Sequence, residues 1–303
     1  LTEMETLPAW ADFDLMAKGG AMGFRQFPQL SLALMHGGLL MTFAAPESAR
    51  ILAGTNRLEQ NVVRRLFESS TLFFGVLDTE ALRPGGVAWE TCLKVRLMHS
   101  MVRMRLLAAG EWDEAQDGKP INLLHIAAGP LFFGSMVLDS LRKLGARVTA
   151  EEALGYKLLW RYVTWLLGVP QELLGHSDAE QEAINARILP LAFGPDANSL
   201  RLTEALMRGL GHMPPLQHLP RGFHEALSRR LLGPALADGL RLADDALMQA
   251  MVSSMVLGLR GYGLMLRLPG MAPRAAGFGK RYMEDFLERG LGGVAADFQE
   301  HPR

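Results

Sequence analysis

Apolar positions recur along this chain at the three- and four-residue spacing of helices, and alternating β-branched runs are scarce. The pattern predicts an all-α protein. Pro28–Thr42 reads as an apolar helix interrupted by Gly37 and Gly38, kinked or split there. Pro46–Ala53 is a short helix, Gln60–Leu77 a longer one, and the run RPGG at 83–86 a loop after it. A helix over Ala88–Ala109 follows, then the polar, turn-rich stretch EWDEAQDGKP.

The next segment, INLLHIAAGPLFFGSMVLDSLRKLG, should break or kink at Gly129-Pro130, because proline removes a donor and clashes with the preceding turn. Thr149 has the chemistry of an N-cap, with Glu151 and Glu152 in the first turn, and its helix runs to Leu167 before GVP. Ser177 caps another. Further helices are expected over Ser199–Gly209, Gly222–Leu231 and Asp244–Leu268. The last is apolar nearly all round, so it is expected between other helices or against a partner. GHMPPLQHLPRG and PGMAPRAAGFG read as loops, with His212, His218 and His224 at the surface. The longest apolar run near the start, LSLALMHGGLLMTFAAP, is interrupted and shorter than the ~20 residues of a spanning helix, so no transmembrane segment is expected.

Composition narrows the function. The net charge of −1 provides no global field for nucleic acid. Seventeen methionines suit either ordinary core filling or an adaptable apolar site. The single cysteine, Cys92, excludes an intrachain disulfide and a cysteine-rich zinc site, and fits a reducing compartment without requiring one. No phosphate-binding loop, dinucleotide fingerprint, HExxH or GxSxG motif is present.

Two constellations carry chemistry. In VRLMHSMVRMRL, at 95–106, Arg96, His99 and Arg103 fall within an arc of roughly 60° on one helix face, flanked by Val95, Val102 and Leu106. A histidine facing an apolar region can ligate haem iron, and flanking guanidiniums can pair with propionates. The same pattern fits a structural histidine beside two arginines in ion pairs. In NVVRRLFESST, at 61–71, Arg65, Glu68 and Ser69 share a face at i, i+3 and i+4. They form either a polar spot for oxygen or proton chemistry or a surface ion pair. His125 and His36 are weaker candidates. His36 sits beside two glycines, where a flat cofactor or a kinked helix would fit. Trp160–Leu167 reads as core.

AAPESARILAGTNRL, RRLFES, RPGG, VRLMHSMVR, GKPIN, LRKLG and LLGVP stand in an order that resembles the latex clearing protein family of rubber oxygenases, a group that also includes a prenyl-side-chain-cleaving oxygenase. The resemblance covers roughly 7–174, and VRLxHxxVR is its most specific part. It implies a globin-like helical core with additional helices, holding a b-type haem without covalent attachment. Residues 1–303 would form a single all-α haem-binding oxygenase domain, with a less recognisable helical part from about 199.

By the same resemblance, His99 would be the proximal iron ligand, bracketed by Arg96 and Arg103. Arg65 matches a distal arginine, and Ser69 stands where rubber-cleaving members usually have threonine. Glu68 stands where some members have a lysine, and Glu47 or Glu68 would be the catalytic base. The implied activity is dioxygen-dependent cleavage of a C=C bond in an apolar small-molecule or polymeric isoprenoid. A non-catalytic haem- or lipid-binding protein, or a haem oxygenase hydroxylating another apolar substrate, are the alternatives. Secreted and cytoplasmic locations both remain open.

Overall fold

The computed structural model describes residues 5–54, 61–110, 112–214, 216–294 and 296. The start expected at Gln60, residues 55–58 of the AAPESARILAGTNRL stretch, Glu111 and Pro215 lie outside the described residues. Every regular element among the described residues is helical. In chain order they are α1 (Phe13–Arg25), α2 (Phe27–Ala33), a π-helical turn (Leu34–Gly38), α3 (Leu39–Ala44), α4 (Pro46–Gly54), α5 (Val62–Gly75), α6 (Val87–Ala108) and α7 (Glu114–Asp117). There follow α8 (Leu123–Ala127), a second π-helical turn (Pro130–Ser135), α9 (Met136–Lys143), α10 (Ala150–Leu166), a 3₁₀ turn (Gln171–Leu173), α11 (Asp178–Ala192), α12 (Ala197–Leu210), α13 (Arg221–Leu232), α14 (Pro234–Gly239), α15 (Ala246–Met265) and α16 (Met271–Leu291).

The core is organised by the crossing of α1 and α10. Gly19 and Gly155 face each other's helix backbone, and a Cβ at either would collide with it. Without side chains there, the two backbones approach closely and zip Phe13, Met16, Tyr156, Leu159, Tyr162 and Val163 into one buried cluster. The aromatics of 160–167 belong to it, as their spacing predicts. Thr149 caps α10 in a reciprocal capping box with Glu152, a local device contributing about 1 kcal/mol.

The two glycine- or proline-marked breaks both resolve as π-helical turns. Gly37 and Gly38 lie in the first, and Pro130 opens the second. Each widens one turn of an otherwise continuous helical path, as π-bulges do. Leu123–Lys143, which contains the second, is long and apolar enough to cross a membrane by length and composition alone. Half of its most apolar stretch is buried, and its π turn packs on α10, the environment of a core helix.

Two expectations are corrected. PGMAPRAAGFG is not a loop beyond its first two residues: from Met271 to Gly279 it is the first part of α16. Pro273 occupies the first turn, where its missing N–H has no intrahelical acceptor to lose. Gly279 lets α16 dock directly on the Phe24 carbonyl of α1. His224 is not at the surface but fully buried on α13. α15, expected between other helices or against a partner, is not enclosed by other helices: it buries only Val252, Val256 and Gly263 and leaves Leu247, Leu257, Leu264 and, just beyond its end, Leu268 exposed.

Candidate functional site

α6 presents the first constellation. Val95 and Val102 are buried, which turns the Arg96–His99–Arg103 stripe toward the protein, while Leu97 and Met104 face outward. His99 Nδ1 is shut off from solvent and has no hydrogen-bond partner. Burial, and then the charge of Arg103, push its pKa down to about 4. At neutral pH the ring is therefore uncharged and keeps a lone pair, the state a metal ligand requires.

Among the described residues neither arginine is in an ion pair. Arg103 donates from Nε to the Pro120 carbonyl at 3.0 Å and from Nη2 to the Ile121 carbonyl at 2.5 Å. Neither it nor Arg96 has a carboxylate partner among the described residues. Arg96 lies across Gly168, where the chain leaves α10 with φ +102; a Cβ there would sit 2.9 Å from Arg96 Nε. The glycine of LLGVP thus makes room for this guanidinium. Among the described residues, two cations without a carboxylate partner flank a neutral imidazole whose buried Nδ1 has no hydrogen-bond partner.

Arg103 also links α6 to a second histidine. The turn it holds leads into Asn122, whose side chain accepts from the His125 amide and caps α8. His125 Nδ1 is buried without a partner, and Nε2 lies 3.9 Å from a Glu47 carboxylate oxygen on α4. Burial lowers the His125 pKa against the opposing pull of Glu47. Pattern reading ranked His125 low because its partner, Glu47, is far away in sequence.

α5 carries the other constellation and packs beside α6. Glu68 is buried, and both its oxygens are engaged. Oε2 accepts from Arg65 Nη1 at 2.6 Å, and Oε1 accepts from Arg64 Nε at 3.0 Å. Arg64 Nη1 also donates to the Leu291 carbonyl at 2.8 Å, tying α5 to the end of α16. Two guanidiniums to one carboxylate leave this cluster with a net positive charge. Ser69 makes no protein hydrogen bond among the described residues. Arg65 and Glu68 are brought together as their spacing predicts; the part of Arg64 had no signal beyond a second arginine.

The sequence places His36 beside glycines, and the π turn buries it fully. Its Nε2 lies 3.1 Å from His224 Nδ1, with the rings stacked at 5.4 Å. No cofactor-sized space separates those rings, so the pair is a structural contact between the first π turn and α13.

Comparison with known proteins finds relatives of this chain. A rubber oxygenase from Streptomyces sp. (strain K30) is 24% identical over 252 residues, which are 82% of this chain and 61% of that protein. The chain thus spans about three fifths of the length of this relative. The structure of latex clearing protein LCP in the closed state superposes with a TM-score of 0.71 at 20% identity, covering 94% of this chain and 77% of that one, a likeness of fold. The profile of the family described as ER-bound oxygenase mpaB/B′/rubber oxygenase, catalytic domain, matches residues 24–291, so the chain belongs to that oxygenase family.

Proposed function

We propose that this protein is a haem b-dependent dioxygenase that oxidatively cleaves a C=C bond in an isoprenoid chain. The observation that carries the reading is the His99 face: a neutral imidazole with an orphaned buried nitrogen, between two arginines that have no carboxylate partner among the described residues. Left to itself this arrangement is costly, since a buried polar atom without a partner loses its hydration for nothing. A group that brings iron and two carboxylates fits it. His99 would ligate the iron, and Arg96 and Arg103 would face the propionates, Arg103 with the donors not spent on Pro120 and Ile121. Bound there, the haem supplies dioxygen activation.

The remaining work falls to this chain's own side chains. Arg65 spends one of its five donors on Glu68 and offers the rest, with the Ser69 hydroxyl, to orient oxygen and stabilise developing negative charge. Glu68 acts as a positioning residue: both oxygens are held by arginines, so taking up a proton would break two ion pairs. Glu47 is the freer carboxylate. Its side chain is 44% exposed and lies 3.9 Å from His125 Nε2, so it is assigned to accept the proton from the allylic carbon and pass it toward His125.

The relatives' names point to a polymeric isoprenoid as one substrate, and the chemistry of the site applies equally to a short terpenoid. The test is dioxygen consumption by the haem-loaded protein with squalene and with short polyisoprene oligomers, with carbonyl-ended products followed by mass spectrometry. Glu47→Gln is expected to lower turnover at least about 10²-fold with haem still bound. Haem binding without any substrate-dependent oxygen uptake would leave a carrier, not an oxygenase.

A further inference from the structure

A pocket of about 400 Å³ opens between α2, α15 and α16, within the range of ~300–1,000 Å³ typical of small-molecule sites. Its floor is buried: Leu32, His36, Met213 and Met283 are nearly inaccessible. Its rim is open: Pro214 and Phe278 are exposed. One wall is an aromatic ladder on α16, where Phe278, Tyr282 and Phe286 recur at four-residue spacing with centroids 6.3 and 6.4 Å apart. Phe27 closes against Tyr282 at 4.8 Å. The wall is held in place because Gly279 on α16 abuts the α1 backbone.

Among the described residues no charged side chain lines this pocket; the polar ones are Ser31, His36 and Tyr282. The pair with His224 occupies His36 Nε2, and burial keeps the ring uncharged at neutral pH. Four methionines, Met35, Met213, Met255 and Met283, supply deformable apolar surface. The pocket is also separate from the oxygen-chemistry face. Phe74 of α5 lines it, while Arg65, nine residues earlier, projects about half a turn away round the same helix.

We infer that this pocket is a second binding site that takes one uncharged apolar chain, an isoprenoid or alkyl tail without an ionised end. Shape and lining admit a hydrocarbon chain along the aromatic ladder, and with no cation among the described lining residues a fatty-acid carboxylate drawn inside would be buried unpaired. The inference stands apart from the haem reading, since none of its residues belongs to the His99 face.

The test is a titration of the protein with 1,6-diphenylhexatriene, an apolar rod that fluoresces on burial, followed by displacement with farnesol or palmitate at pH 8. Saturable binding displaced by farnesol and not by palmitate is expected. Phe278→Glu, at the exposed mouth, is expected to weaken it about tenfold. Leu257→Glu, on the uncovered side of α15, should leave it unchanged, and so should His99→Ala. Absence of saturable binding, equal displacement by palmitate, equal loss in the Phe278 and Leu257 variants, or loss in His99→Ala would each overturn the inference. The last would move the probe to the His99 face without touching the haem reading.

Discussion

Arg103 reaches seventeen and eighteen residues along the chain to hold the carbonyls of Pro120 and Ile121, and Ile121 sits at φ 49°, a left-handed backbone that a β-branched residue rarely adopts. The strain of order 1–3 kcal/mol persists because the surroundings fix it. The same turn positions Asn122 to cap α8 and so places His125 near Glu47.

Removing that grip should be felt in stability and in the site together. Arg103→Ala is expected to lower unfolding stability by about 2 kcal/mol, the scale of a charge-assisted hydrogen bond whose acceptors are left buried. Urea unfolding measures this, and haem affinity should fall in parallel. Stability unchanged within a few tenths of a kcal/mol would mean the turn holds itself.

Gly168→Ala tests the Arg96 side. The substitution forces a side chain onto φ +102 and puts a Cβ 2.9 Å from Arg96 Nε. A destabilisation of about 1–2 kcal/mol is expected, together with weaker haem binding, although residue 168 carries no polar group. If affinity holds while stability falls, Arg96 is not an anion partner.

Glu68→Ala leaves Arg64 and Arg65 without their shared carboxylate. The expected cost is about 3 kcal/mol, at the low end for breaking a buried pair because both arginines keep some solvent contact. Glu68→Gln, which keeps acceptor and shape, should restore part of the stability and most of the turnover. A Gln variant as inactive as Glu47→Gln would make Glu68 the base.

Acid should weaken the fold through the histidine pair. Burial, then the neighbouring His224, push the His36 pKa down to about 3, and burial lowers His224 as well. A histidine whose folded value lies below its unfolded value of about 6.5 binds fewer protons when folded. Its contribution is intact above pH 6.5 and is lost as pH falls toward 3. At pH 5 His36 alone accounts for about 2 kcal/mol. Urea unfolding at pH 7.5 and 5 should show a smaller difference for His36→Gln than for the unaltered protein, and equal differences would contradict the assignment.

What the chain alone discloses is what depends on neighbours in sequence. The Thr149 and Ser177 caps, the irregular turn at Gly129-Pro130, which is a π turn where a break or kink is expected, and the shared faces of 65–68 and 96–103 are all local geometry. What is misread depends on distant partners. α16 looked like a loop because its proline and glycines are tolerated only through their place in the first turn and against α1. His224 looked exposed because its partner, His36, lies 188 residues away. That Arg96 and Arg103 have no carboxylate partner among the described residues likewise depends on where distant side chains go.

The most direct test of the account is a haemin titration of the purified protein and of His99→Ala, read by ultraviolet–visible absorption with circular dichroism as a check on folding. The account predicts saturable binding with a strong Soret band in the unaltered protein, and a band lost or displaced in the folded variant. An identical spectrum and affinity in His99→Ala would contradict it, leaving the orphaned imidazole as a feature of the core and not an iron ligand.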